Sequence, residues 1–350
     1  MRYFITGGLG VIGSHFAKTI LDQGHEAIIL DAAEEPRNMW MANHLQNKYG
    51  GKALIVMERM EKSSFPDIEI CDRIFHAAAH TGIPHSAIDP VDDWMSNAEA
   101  TRLLLERVRN CGKKIPVVAL SSVKPYKVDN IPYEAAKTRY YWADRNKDFG
   151  ISEKHLLEPD EPYAASKMAQ SALCMSYART YHMPVVVFRC SNLYGAAPSH
   201  GPRHGWLTWF CLSAVLGRQI EIQGTGLQVR DMLYSDDVNS AVFAAFENME
   251  EEFDRSKSVI GNVYNIGGGH KNSISVLEAA NIMKDMFPNI QIKSGPGRKN
   301  EDQIFITDYS KFKFITKWEP KTDVHDGIKK IIDWAQNNKE ELTKMYDWCK

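Results

Sequence analysis

Absences narrow this sequence first. Its six cysteines (Cys71, Cys111, Cys174, Cys190, Cys211 and Cys349) include no Cys-x-x-Cys pair. Several fall in apolar segments, the pattern of reduced, packed thiols rather than disulfides or metal ligands. No apolar run approaches the ~18 residues needed to cross a bilayer. The opening Met1-Arg2-Tyr3-Phe4-Ile5-Thr6 leads at once into a glycine loop, leaving no room for an export leader. A cytoplasmic protein without membrane contact is expected. Charge of one sign is lacking too: 42 Lys plus Arg stand against 44 Asp plus Glu, a formal net charge of −2. No basic field recruits nucleic acid, so an anionic ligand has to be held by local groups. The histidines show no metal-like spacing, and no metal is expected.

What is present is an ordinary globular composition over 350 residues, 44% hydrophobic and 25% charged, enough for one large α/β domain carrying a lobe. Tyr3 to Thr6 reads as a short buried strand. Gly7-Gly8-Leu9-Gly10-Val11-Ile12-Gly13 then turns the chain into a helix, and Glu26 to Leu30 forms a second strand ending on Asp31. A strand, a glycine loop, a helix and an acid about 20 positions on form the dinucleotide-binding fingerprint. Gly7, Gly10, Val11, Ile12 and Gly13 are the expected pyrophosphate loop, with backbone N–H groups at a helix N-terminus. Asp31 accepts the adenosine ribose hydroxyls and repels a 2′-phosphate, which favours NAD over NADP; Arg37 nearby moderates that preference.

Further strands are expected at Ala53 to Met57, Arg73 to Ala78 and Ile115 to Leu120. The fourth delivers His76-Ala77-Ala78-Ala79-His80, and the fifth Ser121-Ser122, to the crevice at the carboxyl edge of a parallel sheet. The fold class is therefore α/β, a Rossmann doubly wound parallel sheet. Tyr163-Ala164-Ala165-Ser166-Lys167 sets a phenol and an ammonium on one helix face. Neighbouring positive charge favours a phenolate, so Tyr163 is expected to have a lowered pKa and to transfer protons.

Gly7-x-x-Gly10-x-x-Gly13, Asp31, His76-Ala77-Ala78-Ala79, Asn97, Leu120-Ser121-Ser122 with Tyr126, and Tyr163-x-x-x-Lys167 together resemble the extended short-chain dehydrogenase/reductase superfamily of nucleotide-sugar epimerases and dehydratases. The resemblance implies a smaller C-terminal α/β substrate-binding lobe, with residues 1–188 the cofactor domain, 232–264 returning to it, and 189–231 with 265–350 the lobe. It also implies that Tyr163 is the acid/base on a sugar hydroxyl, that Ser122 bonds the same hydroxyl, that Lys167 holds the nicotinamide ribose, and that Ala77, Ala78 and Asn97 border NAD. Dehydratases of that superfamily look like Thr-Asp-Glu at the serine; Val123-Lys124 supplies neither carboxylate, so hydride exchange at a carbinol is favoured over elimination. The insertion between Tyr126 and Tyr163, with Thr138-Arg139-Tyr140 and Gly150-Ile151-Ser152-Glu153, is similar to that of the CDP-paratose (CDP-tyvelose) 2-epimerase branch. Its aromatic content argues for order.

By the same resemblance, Asn192, Trp206, Arg230 and Arg298 contact a nucleotide-diphosphate sugar, a CDP-sugar in that branch, and His80 and Lys124 border the sugar. Trp209 is assigned to packing, and His80 and His85 suit either sugar contact or loop bonding. The helices Asp92 to Asn110 and Tyr163 to His182 imply a homodimer or homotetramer. A UDP- or GDP-sugar 4-epimerase and a 4-keto reductase would use the same residues, and a non-catalytic NAD-binding protein is the reading from another class.

Overall fold

The structure, a computed structural model, describes residues 1–144, 150–198, 205–250, 258–297 and 301–346. Seven parallel strands form the central sheet: β1 (Arg2–Thr6), β2 (Glu26–Asp31), β3 (Ala53–Met57), β4 (Arg73–His76), β5 (Val117–Ser122), β6 (Val185–Cys190) and β7 (Val263–Ile266). Their spatial order is β7-β6-β5-β4-β1-β2-β3. The order reverses between β1 and β4, so a crevice opens beyond their carboxyl ends, where ligands of open α/β sheets bind. β5 and β6 are buried along their whole length. That explains why they read as unbroken apolar runs, since helices cover both faces of a parallel sheet.

One face carries Phe16, Ile20, Phe75, Phe188 and Phe246; the other carries Leu104, Leu105, Cys174 and Val185. Phe312 and Trp318, late in the chain, pack into the first of these cores against Phe188 and Tyr264. A separate core holds the lobe together, with Leu207, Phe210, Ile274, Met283 and Ile331. Cys71, Cys111, Cys174, Cys190 and Cys211 are all free thiols.

The insertion is ordered over its described residues. Tyr133–Ala135 and Tyr140–Trp142 pair as an antiparallel hairpin. Arg139 bonds the Glu278 carboxylate at 2.7, 2.9 and 3.1 Å and donates to the Ser273 carbonyl at 2.8 Å. Ile151 exchanges backbone bonds with Ile306 and Asp308. Glu153 accepts the Asn265 N–H at 2.8 Å at the end of the central sheet. The insertion is thus a strap tying the sheet to the lobe, and it buries Trp142 and Ile151 with Tyr126, Val229 and Phe305.

Candidate active site

The crevice is built by close approach of backbones. Gly7 follows β1 with φ of +66°, and a Cβ there would sit 2.6 Å from the Ala78 Cα, so only glycine lets the loop lie against the end of β4. A Cβ on Gly13 would reach the Gly7 carbonyl at 2.1 Å. Gly10 enters the helix α1 (Val11–Asp22) with no side chain capping it, leaving N–H groups directed at the crevice. Asp31 ends β2 and accepts the Leu9 and Ala33 N–H groups at 3.0 and 2.9 Å, so it also shapes the glycine loop. Burial pushes its carboxyl up, opposed by those backbone bonds.

The far wall of this cleft is lined by Arg59, Glu61, Ala79, His80 and Ser96. Arg59 binds Glu34 at 2.8 Å and Ser96 at 3.0 Å, and pairs with Glu61 and Asp92. Arg37 pairs with Glu35. Both arginines beside this cleft are thus paired with carboxylates.

Asn97 lies in a turn of wider π-helix, Met95–Glu99, the kind of local irregularity that marks functional sites. It clamps the loop after β4: its carbonyl accepts the His80 N–H at 2.9 Å, and its amide donates to the His80 carbonyl, to Asp93 and to Ser166. His76 is buried and tied to Thr6 at 2.7 Å and Thr101 at 2.8 Å. Thr101 donates to the Asn97 carbonyl, so the consistent tautomer carries the proton on His76 Nε2 and accepts from Thr6 at Nδ1. Burial, with Lys167 adding to it, pushes the imidazole down to about 3, which keeps it neutral.

The helix α2 (Pro162–Thr180) presents Tyr163 and Lys167. Burial pushes the Tyr163 phenol up to about 12, and the Ser122 hydroxyl opposes that shift by favouring the ionised form. The expectation of a lowered pKa is thus not met by the chain alone. Lys167 donates instead to the Leu120 carbonyl at 3.1 Å and to Gln170 at 2.7 Å. Burial lowers its pKa to about 8. Gln170 in turn donates to Thr101 Oγ1 at 3.2 Å, so one network runs from Thr6 at the end of β1 through His76 and Thr101 to the ammonium.

A sequence profile described as the NAD dependent epimerase/dehydratase family matches residues 3–267. The chain belongs to this family. CDP-paratose 2-epimerase of Salmonella typhi is 30% identical over 348 residues, covering 96% of this chain and 100% of that protein. dTDP-glucose 4,6-dehydratase of Escherichia coli is 27% identical over 381 residues, covering 99% and 97%. Among solved structures, Pal from Bacillus thuringiensis matches with a TM-score of 0.79 at 26% identity, covering 96% of this chain and 99% of that one.

NAD, the cofactor of the epimerase/dehydratase family, fits the residues present. The glycine cradle that a Cβ would fill, the uncapped start of α1 and the acid at the end of β2 are the parts a dinucleotide needs.

On the lobe side, Asn192 lies on a short strand, Asn192–Tyr194, with its amide 3.5 Å from Ser191 Oγ. Trp206 begins the helix Trp206–Val215 and meets Phe210 edge-on. Trp209 packs on Tyr346. Arg230 donates to the Val229 carbonyl, with Glu301 3.8 Å away. Lys124 bonds Asp302 at 2.8 Å. Arg298 lies outside the described residues.

The sequence reading missed Arg59, Asp93, Glu161 and Gln170. Gln170 had a signal, being three positions from Lys167 on one helix, as had Glu161 two positions before Tyr163 and Asp93 four before Asn97; Arg59 meets the site only through long-range packing. The His80 and His85 rings lie 4.1 Å apart, tilted at 46°, and with Asp92 bring one ligand atom each within 4.8 Å of one another. Arg59 already pairs with Asp92, and its positive charge repels a cation there.

Proposed function

We propose that this enzyme epimerises a nucleotide-diphosphate sugar, a CDP-sugar at C2, by transient oxidation of a carbinol to a ketone. The observation that carries the reading is the placement of Ser122, Tyr163 and Lys167 at the carboxyl edge of the sheet, beside the glycine cradle. NAD bound there supplies the hydride acceptor and donor. Tyr163 takes the hydroxyl proton and returns it, and Ser122 orients that oxygen and supports the phenolate. Lys167, fixed by Leu120 and Gln170, supplies positive charge and holds the cofactor ribose. Asn97 fixes the loop that borders the cofactor.

Elimination of water needs both a general acid and a general base besides the tyrosine. Val123 and Lys124 supply neither carboxylate after Ser122, which disfavours a dehydratase. Asn192, Trp206, Arg230 and Arg298 are the proposed contacts for nucleotide and diphosphate, with His80 and Lys124 beside the sugar. The similarity to CDP-paratose 2-epimerase supports the base and the carbon. The helices Ala100–Asn110 and Pro162–Thr180 are the proposed interface of a homodimer or homotetramer.

The test is to denature the purified protein, identify the released cofactor by mass spectrometry, and offer CDP-, UDP- and GDP-sugars in deuterated water. Epimerised CDP-sugar with retained NAD and no solvent deuterium is expected. Deuterium at the inverted carbon, or stoichiometric consumption of added NAD(P)H, would overturn the mechanism.

A further inference from the structure

Glu161 stands immediately before α2, at the position whose side chain normally caps a helix start, yet its carboxyl makes no cap bond. The Ser86 hydroxyl does that work from another element, accepting the Tyr163 N–H at 3.3 Å. Released from capping, Glu161 turns toward Lys124, whose ammonium is 4.0 Å from Oε1, and that oxygen is buried without a hydrogen-bond partner. Lys124 is anchored on its other side by Asp302 at 2.8 Å, and its own N–H donates to Ser122 Oγ at 3.2 Å.

Ser122 and Tyr163 bridge the end of β5 and the start of α2. Lys124, two residues beyond Ser122, and Glu161, two residues before Tyr163, bridge the same two elements a second time. A buried carboxyl oxygen without a partner costs free energy that a ligand hydroxyl relieves.

We infer, resting on the nucleotide-sugar reading, that Glu161 is a specificity-determining residue. With Lys124 it binds a sugar hydroxyl other than the one that Ser122 and Tyr163 engage, so the preferred sugar carries that hydroxyl and its deoxy counterpart is rejected. Sites built to bond a hydroxyl reject the analogue lacking it, because their polar groups are left unpaired. The carboxyl can donate as well as accept near neutrality. Burial pushes it up to about 7, with Asp160, Asp302 and Asp93 reinforcing the shift and Lys124 opposing it. Tyr163 is the further titratable group facing it.

The experiment is titration calorimetry of the NAD-loaded protein with CDP, CDP-glucose and the 2-, 3-, 4- and 6-deoxy CDP-glucoses. Wild type should bind one deoxy-sugar nucleotide at least tenfold more weakly than CDP-glucose. Glu161→Ala should erase that difference without changing the affinity for CDP, while Glu161→Gln should keep it. Above pH 7, wild-type affinity for CDP-glucose should weaken as the proton leaves, and that of Glu161→Gln should not. Lys124→Met should also erase the preference, which serves if Glu161→Ala does not fold. Equal binding of all the deoxy-sugars by wild type, or a preference retained by the folded variants, would overturn the inference and leave the epimerase reading standing. Failure of wild type to bind CDP-, UDP- or GDP-glucose would overturn both.

Discussion

Lys167 is an ammonium kept where charge is disfavoured: it is buried, and its pKa falls from 10.5 to about 8. Below pH 8 the folded chain bears the cost of a charge that the unfolded chain holds freely in water. Lys167→Met, of similar shape and without charge, should therefore melt a few degrees higher than wild type at pH 7, by about 1–3 kcal/mol, while losing turnover. The gap should narrow as pH rises from about 8 toward 10, because wild type then sheds the proton. A melting curve at pH 7 that places the variant below wild type would contradict this. Gln170 acts on the same ammonium as a positioning residue. Gln170→Ala removes an acceptor at 2.7 Å, so kcat should fall about tenfold and the alkaline limb of the pH–rate profile should move to lower pH. An unshifted limb would assign Gln170 a packing role only.

Among the elements, the strap from Tyr126 to Tyr163 has the most to say about how two cores become one enzyme. Arg139 grips Glu278, and Glu278 also receives the Ser275 N–H while its own N–H is capped by Ser275 Oγ. A single arginine therefore ties the hairpin to the start of a lobe helix through a bidentate, partly buried pair. Its loss leaves Glu278 short of a partner. Arg139→Ala should destabilise the protein by about 1–3 kcal/mol. It should also raise the KM for the sugar nucleotide severalfold while leaving NAD affinity within twofold, read by steady-state kinetics and NAD titration. A change in NAD affinity as large as that in KM would show that the strap supports the cofactor domain instead. Gly150 makes the strap's path possible: its φ is +92°, and a Cβ would sit 2.6 Å from the Ile306 carbonyl.

For the molecule as a whole, ligand binding and folding are linked through the crevice between β1 and β4. A ligand that binds only the folded chain adds about 2.7 kcal/mol of stability at a hundred times its Kd. NAD should raise the melting temperature, and NADP at equal concentration should raise it less, because the carboxylate of Asp31 at the end of β2 would repel a 2′-phosphate and Arg37 and Arg59 are already paired. An equal shift from NADP would mean that one of these arginines leaves its carboxylate to hold a phosphate. Among the described residues no helix is long and apolar enough to cross a membrane.

Much of this was readable in one dimension, because parallel βα units encode themselves locally. Continuous apolar runs give buried strands, glycines mark where backbone must approach backbone, and a four-residue spacing puts Tyr163 and Lys167 on one helix face. That sufficed for the fold and the family. Only the tertiary structure showed that Asn97 is a clamp on the loop after β4 and that burial leaves Tyr163 with a raised pKa in the chain alone. It alone showed that Glu161 makes no cap bond and stands 4.0 Å from Lys124. Desolvation and contacts between residues dozens of positions apart are properties of the packed chain, and no local pattern carries them.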